Sequence, residues 1–346
     1  MSLAPPERSP CRVMGLRARD TRQGWAKCPS SEVVAPVLLF TVDISLFRRG
    51  VTVNVRRIVP AVLAAAFLTA GLATPANAEP RIIGGENAKI EDSPWVVYIS
   101  RRADGLANCG GVLVAPNKVL TSADCATFVN SQQQAVPIHK SRFTVTSGRS
   151  DLLDVAQDVA PGADWKVTDI WVHPQYQNEP RRHDFAILTI ELDYADVDPV
   201  VTPIALAGPD DAALYEPGPG ATIFGWGASF QYQDDVGEWQ SEGANTQLRR
   251  SEVPVIAMAD CVKSLPIAVP FRKQFVCAGD TAAKKTVCDG DFGGPLVRGG
   301  KLIGVASRAV PFDCGETIES PAQFANVRND YDVLQAQLHA PAPEDG

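Results

Sequence analysis

Short apolar, β-rich runs recur along the chain from about residue 82, each bounded by Gly, Pro, Asn or Asp. Residues 95–99, 111–114, 185–190, 221–226 and 253–256 are examples. Leu296-Val297-Arg298 and Lys301-Leu302-Ile303 flank Gly299-Gly300, which is the signal for a two-residue hairpin. Many short strands without intervening helices predict an all-β sandwich or barrel. One amphipathic stretch, residues 329–338, predicts a C-terminal helix, and residues 339–346 read as a loose tail.

Charge is unevenly spread. Residues 1–81 hold 11 Lys/Arg and 5 Asp/Glu, a net of +6, whereas residues 82–346 carry −14 of the chain's total of −8. An acidic body argues against phosphate-backbone binding, so no nucleic-acid partner is expected. The basic segment looks like sorting information. Arg56-Arg57 precede an apolar run to Ala73, and Ala76-Asn77-Ala78 closes it with a small-x-small cleavage pattern. The run is short for a membrane span. We therefore expect a signal peptide at 51–78, a doubtful extension at 1–50 ahead of a later true start, and a secreted protein with no membrane association once the signal is removed.

Of eight cysteines, Cys11 and Cys28 lie in the extension. The other six are Cys109, Cys125, Cys261, Cys277, Cys288 and Cys314. An even number behind a secretion signal implies disulfides, with the connectivity open on sequence alone. There is no CxxC pair to suggest a zinc site, and nothing marks a cofactor.

Several spaced motifs carry a family resemblance. Val119-Leu120-Thr121-Ser122-Ala123-Asp124-Cys125-Ala126 resembles the general-base motif of the chymotrypsin/trypsin-like serine proteases, and Cys288-Asp289-Gly290-Asp291-Phe292-Gly293-Gly294-Pro295 resembles their nucleophile loop. Trp171-Val172-His173-Pro174, His183-Asp184-Phe185-Ala186, Gly225-Trp226-Gly227 and the stretch from Pro321 to Val327 fall in family order between and after them. The resemblance implies two antiparallel β-barrels, about 82–205 and 206–328, with a cleft between them. It also implies the pairings Cys109–Cys125, Cys261–Cys277 and Cys288–Cys314. Residues 79–81 resemble a short propeptide: cleavage after Arg81 would free the Ile82 amine to pair with Asp291. Residues 232–241 look like an insertion in a surface loop.

The resemblance fails at two positions. The family's chemistry needs a hydroxyl, an imidazole to take its proton and a carboxylate to orient that imidazole. Asp184 matches the orienting carboxylate. Asp124 stands where the imidazole belongs, and Phe292, which has no oxygen, stands where the serine belongs. The backbone N–H groups of Gly290 and Phe292 match the family's oxyanion donors. His183 adjoins Asp184, but alternation along a strand would turn it away from the cleft. In the pocket, Thr286 matches the base, Ala309 and Ala322 the walls, Arg308 the lining of the next subsite, and Ser307 a support for Asp184. From Asp124 and Phe292 we expect a protein that is not an enzyme and that binds a protein or peptide partner in the cleft or on surface loops. The alternatives are an active secreted serine-type endopeptidase with non-standard residues, or a decoy for protease inhibitors.

Overall fold

The computed structural model describes residues 85–101, 108–153, 162–192, 202–228, 230–233, 239–242, 246–309 and 321–340. The signal segment, Arg81, Ile82, Cys314 and most of the tail lie outside the described residues.

The strand runs resolve into two barrels. The first uses β1 (Val96–Arg101), β2 (Cys109–Ala115), β3 (Lys118–Thr121), β4 (Phe143–Ser147), β5 (Ala163–Val172) and β6 (Ala186–Leu192). It closes antiparallel in the order β1-β2-β3-β6-β5-β4. The second uses β7 (Gly218–Gly225), β8 (Arg249–Ile256), β9 (Phe275–Ala278), β10 (Pro295–Arg298), β11 (Lys301–Arg308) and β12 (Ala322–Asn326). Its order is β7-β8-β9-β12-β11-β10, closed by the β7–β10 pairing. The two orders are the same winding. No sequence repeat announced this, because a barrel constrains only the inward-facing alternation and the turns.

Each barrel has its own filling. Val97, Ile99, Leu113, Val145 and Leu188 pack inside the first, and Ile223, Val253, Leu296, Ile303 and Phe324 inside the second. A third cluster, including Val112, Leu120, Phe185, Phe224, Trp226 and Leu302, forms the seam between them. Two edge-to-face ring pairs cross that seam, Trp95 with Phe224 at 5.0 Å and Tyr98 with Trp226 at 5.8 Å. Edge-to-face geometry sets the positive ring edge against the negative face, which adds direction to apolar burial.

Gly299 and Gly300 both have positive φ, 60° and 73°, as the hairpin between β10 and β11 requires. The predicted surface insertion is an antiparallel hairpin, Phe230–Gln233 against Trp239–Glu242. The C-terminal helix spans Tyr331–Leu338. No helix among the described residues is long and apolar enough to cross a membrane.

Two disulfides agree with the implied pairing, Cys109–Cys125 and Cys261–Cys277. Cys288 is also disulfide-bonded, and its expected partner Cys314 lies outside the described residues. The Cys261–Cys277 bridge ties the helix Met258–Ser264 to β9. Replacing both cysteines by serine should lower unfolding free energy by about 2–5 kcal/mol. Urea denaturation of the oxidised protein checks this, with peptide mapping to confirm the remaining bridges.

Candidate functional site

The site is assembled where three loops meet at the seam. The first is a single helical turn, α1 (Ala123–Ala126), which follows β3. The Ser122 hydroxyl caps it by accepting from the Cys125 amide at 3.2 Å, and Cys125 is bonded to Cys109 in β2. Cap and bridge together fix where Asp124 points. The second is the turn ahead of β6, which carries Arg181, His183 and Asp184. The third is the loop from Cys288 to Gly294.

Tight backbone contact docks this third loop. Gly110 of β2 donates to the Phe292 carbonyl at 2.8 Å. A Cβ at Gly110 would sit 2.8 Å from the Gly294 Cα, closer than side chains pack. Gly293, at φ 81°, would drive a Cβ into Thr121. The Gly293-Gly294 pair is therefore required by the docking itself. The Phe292 ring is half-buried and packs against the filling of the first barrel.

Asp291 is the anchor of this loop. It is 1% exposed. Its two carboxylate oxygens accept from the Gly227 amide at 2.8 Å and the Cys288 amide at 3.0 Å. A Cβ at either Gly225 or Gly227 would overlap the carboxylate, which accounts for both glycines of Gly225-Trp226-Gly227. Burial pushes the Asp291 carboxyl up to about 7, against the two amide bonds that favour its ionised form.

The carboxylates of the cleft form a second buried arrangement. Asp184 is fully buried. It accepts from the Asp124 amide at 2.9 Å and the Ser307 hydroxyl at 2.6 Å. Burial first, then the negative charge of Asp124, pushes its carboxyl up to about 7, while the Ser307 bond and Arg181 pull the other way. Ser307 thus occupies the supporting position that the resemblance implied. The Asp124 side chain reaches the cleft and meets Arg181, Nη2 to Oδ2 at 3.1 Å. The same guanidinium donates through Nη1 to the Ser307 carbonyl at 2.6 Å and lies 5.5 Å from the Phe292 ring centroid. One side chain therefore spans Asp124, Ser307 and Phe292.

Arg181 was missed in the sequence. Its only signal is the run Pro180-Arg181-Arg182 directly ahead of His183-Asp184. Periodicity could not place it, because Arg181 and His183 adopt left-handed backbone, φ 59° and 50°. The same fact corrects the reasoning about His183. It does turn from the cleft, toward Asp330, but it sits in a turn before β6 and not in a strand.

In the pocket region, Thr286 and Ala322 are buried, and Ala322 belongs to the filling of the second barrel with Ala309 packed against it. The Arg308 guanidinium folds back to donate to the Gln323 side chain at 3.1 Å. Gly290 has φ 91°, and the amides of Gly290 and Phe292 donate to no acceptor among the described residues.

With this geometry in view, comparison with known proteins is specific. The sequence profile of the Trypsin family matches residues 82–333. The trypsin of Saccharopolyspora erythraea is 36% identical over 266 residues, 75% of this chain and 100% of the relative. The trypsin of Simulium vittatum is 28% identical, covering 72% of this chain and 92% of the relative, and kallikrein-15 of Saguinus oedipus is 29% identical, covering 66% and 80%. This chain belongs to the trypsin family.

That finding corrects the expectation that the chain is not an enzyme. The family profile and a relative named trypsin, matched over its full length, point to a serine endopeptidase. The substitutions at Asp124 and Phe292 had been read in isolation. A local departure changes how a step can be carried out, and it does not remove the family's peptide-cleaving scaffold around it.

Asp291 gives a test in the stability of the uncleaved chain. Its carboxyl lies at about 7 in the folded state against 3.8 as a free group. Between these values the unfolded chain loses its proton first, so the folded state loses stability as pH rises from about 4 to 7 and levels above. In an Arg81→Gln background, the wild-type protein should lose stability across this window relative to Asp291→Asn. Urea midpoints at pH 4, 5.5 and 7 measure the difference. Equal slopes would show that Asp291 is not held protonated.

Proposed function

We propose that this chain is a secreted endopeptidase of the trypsin family that works with non-standard residues, with Asp124 as base and water as the attacking group. The reading rests on the 36% identity across the full length of a relative named trypsin. Asp124 and Asp184 lie beside one another at the head of the cleft, where the family places its proton-transfer groups. Secretion is supported by the apolar segment behind Arg56-Arg57 and by the disulfides.

The chemistry balances without a side-chain nucleophile. A water oxygen bonds to the scissile carbonyl carbon while Asp124 accepts the water proton. The oxyanion is held by the free amides of Gly290 and Phe292. The carbon–nitrogen bond then breaks, and Asp124 returns the proton to the leaving amine. Asp184 stays beneath, fixing the Asp124 turn through its amide. Arg181 must swing aside, since it holds the same carboxylate oxygen. Such a reaction keeps what triad-less mutants of this family retain, on the order of 10³–10⁴ over water. Thr286, Ala309 and Ala322 favour a small uncharged side chain in the pocket.

Incubation of the mature protein with a peptide library, followed by mass spectrometry, tests this. Slow cleavage after small residues is expected, unaffected by a fluorophosphonate and slowed further in Asp124→Asn. Absence of cleavage above a buffer blank would sink the reading. Arg181→Ala should raise the rate several-fold by freeing Asp124. The double change Asp124→His with Phe292→Ser supplies hydroxyl and imidazole together and should exceed wild type by on the order of 10².

A further inference from the structure

The histidine that turns away from the cleft joins a second, independent cluster. His173 lies just after β5, His183 in the turn ahead of Asp184, and Asp330 at the N-terminal end of the C-terminal helix. One candidate ligand atom from each lies within 4.8 Å of the others. The two imidazoles stack with centroids 4.8 Å apart and planes 11° apart. His183 Nδ1 is 2.6 Å from Asp330 Oδ1, and His173 Nε2 is 3.6 Å from the same oxygen.

Two atoms here are unexplained by hydrogen bonding alone. His173 is 2% exposed, yet its Nε2 is buried with no hydrogen-bond partner and is aimed at Asp330. The Gln274 Oε1, on the far side of His183, is also buried and unpartnered. Buried polar atoms without partners carry a desolvation cost. A ligand bound at His173 Nε2 would satisfy that atom.

We propose that His173, His183 and Asp330 form a binding site for a zinc ion, completed by water. Two imidazole nitrogens and one carboxylate are a zinc donor set with an open fourth position. Tetrahedral arms of about 2.0–2.1 Å put neighbouring donors roughly 3.3 Å apart. The 3.6 Å separation of His173 and Asp330 is already close to this, the 2.6 Å separation of His183 and Asp330 must open, and the stacked rings must turn so that one ion lies in both ring planes.

The protons can be placed. Without metal, the His183 Nδ1–H donates to Asp330, and its Nε2 accepts from the Gln274 side-chain amide at 2.9 Å. With metal on Nδ1, the proton moves to Nε2, and a half-turn of the Gln274 amide presents Oε1 as its acceptor. The half-turn also puts the Gln274 Nε2 where the unpartnered Oε1 now lies, so this amide keeps one unpartnered atom in either state. A carbonyl behind a metal-bound imidazole is a usual orienting group. His173 makes a costlier adjustment. Its Nδ1 accepts from the Gln175 amide at 3.1 Å, and this bond is given up when Nδ1 takes the proton. The Gln175 N–H then needs another acceptor. Entry is through the side chain of His183, which is 15% exposed while those of His173 and Asp330 are 1% and 4%. The absence of a CxxC pair bears only on cysteine sites and leaves this one open.

The experiment is titration of the metal-free mature protein with zinc chloride against a chromophoric chelator, with cobalt(II) as spectroscopic probe. One zinc per chain is expected, with tetrahedral cobalt absorption and a zinc-dependent rise in melting temperature. Asp330→Asn and His183→Gln should each weaken zinc by at least tenfold with the near-ultraviolet circular dichroism kept. The remaining histidines, His139 and His339, are exposed or at the tail, and their double replacement by alanine should leave binding intact. No stoichiometric zinc in the wild type overturns the proposal, as does equal affinity in Asp330→Asn and His183→Gln, or loss of binding in the His139/His339 control. None of these readouts depends on peptide cleavage.

Discussion

The buried carboxylate of Asp291 organises the loop on which the cleft is built. Two backbone amides and three glycine positions are committed to it: Gly225 and Gly227 leave room for its oxygens, and Gly294 donates to its carbonyl. Among the described residues two backbone amides hold the carboxylate, and burial disfavours its charged form and dominates its titration. The arrangement is suited to a cation. The Ile82 amine that cleavage after Arg81 would release is the cation implied by family resemblance. A partner of opposite charge favours the ionised form and locks the loop, so the same residue can serve as a strained anchor before cleavage and a paired one after it.

A second constraint acts across the barrel seam. The Phe292 carbonyl is tied to the first barrel through Gly110, and Ser307 of the second barrel holds Asp184 next to the first barrel's Asp124. The cleft residues thus come from both barrels and are set by contacts between them. Arg181 completes the arrangement with an ion pair to Asp124 and a bond to the Ser307 carbonyl. At 27% and 29% side-chain exposure this pair is partly solvated, which makes it a movable element and not a permanent lock.

Much of the site was legible because motifs in this fold are local. Cys109–Cys125, the α1 turn with Asp124 and the glycine-rich loop around Phe292 are short segments whose residue types state their own backbone demands. Ser307 lies in β11 and bonds Asp184, Ala322 begins β12, and Thr286 lies in an irregular stretch between strands. Arg181 was not legible, since its place depends on two left-handed residues and on a partner 57 positions upstream in sequence. The expectation of inactivity was drawn from two side chains, and membership of the family rests on residues 82–333. Those are different kinds of inference, and similarity across that span corrected the local one.

The sequence by itself determined the strand runs, their turns, the C-terminal helix and which cysteines to pair once the family was recognised. These follow from period-two burial, glycine conformation and motif order, all of which act over a few residues. Only the tertiary structure decided that the two barrels share one winding, that one arginine bridges the cleft, and that His173, His183 and Asp330 meet. These three residues span 157 positions, from the end of one strand to the start of the last helix. Their meeting is a consequence of how the C-terminal helix packs beside the turn ahead of Asp184, and no local pattern encodes a distance across a fold.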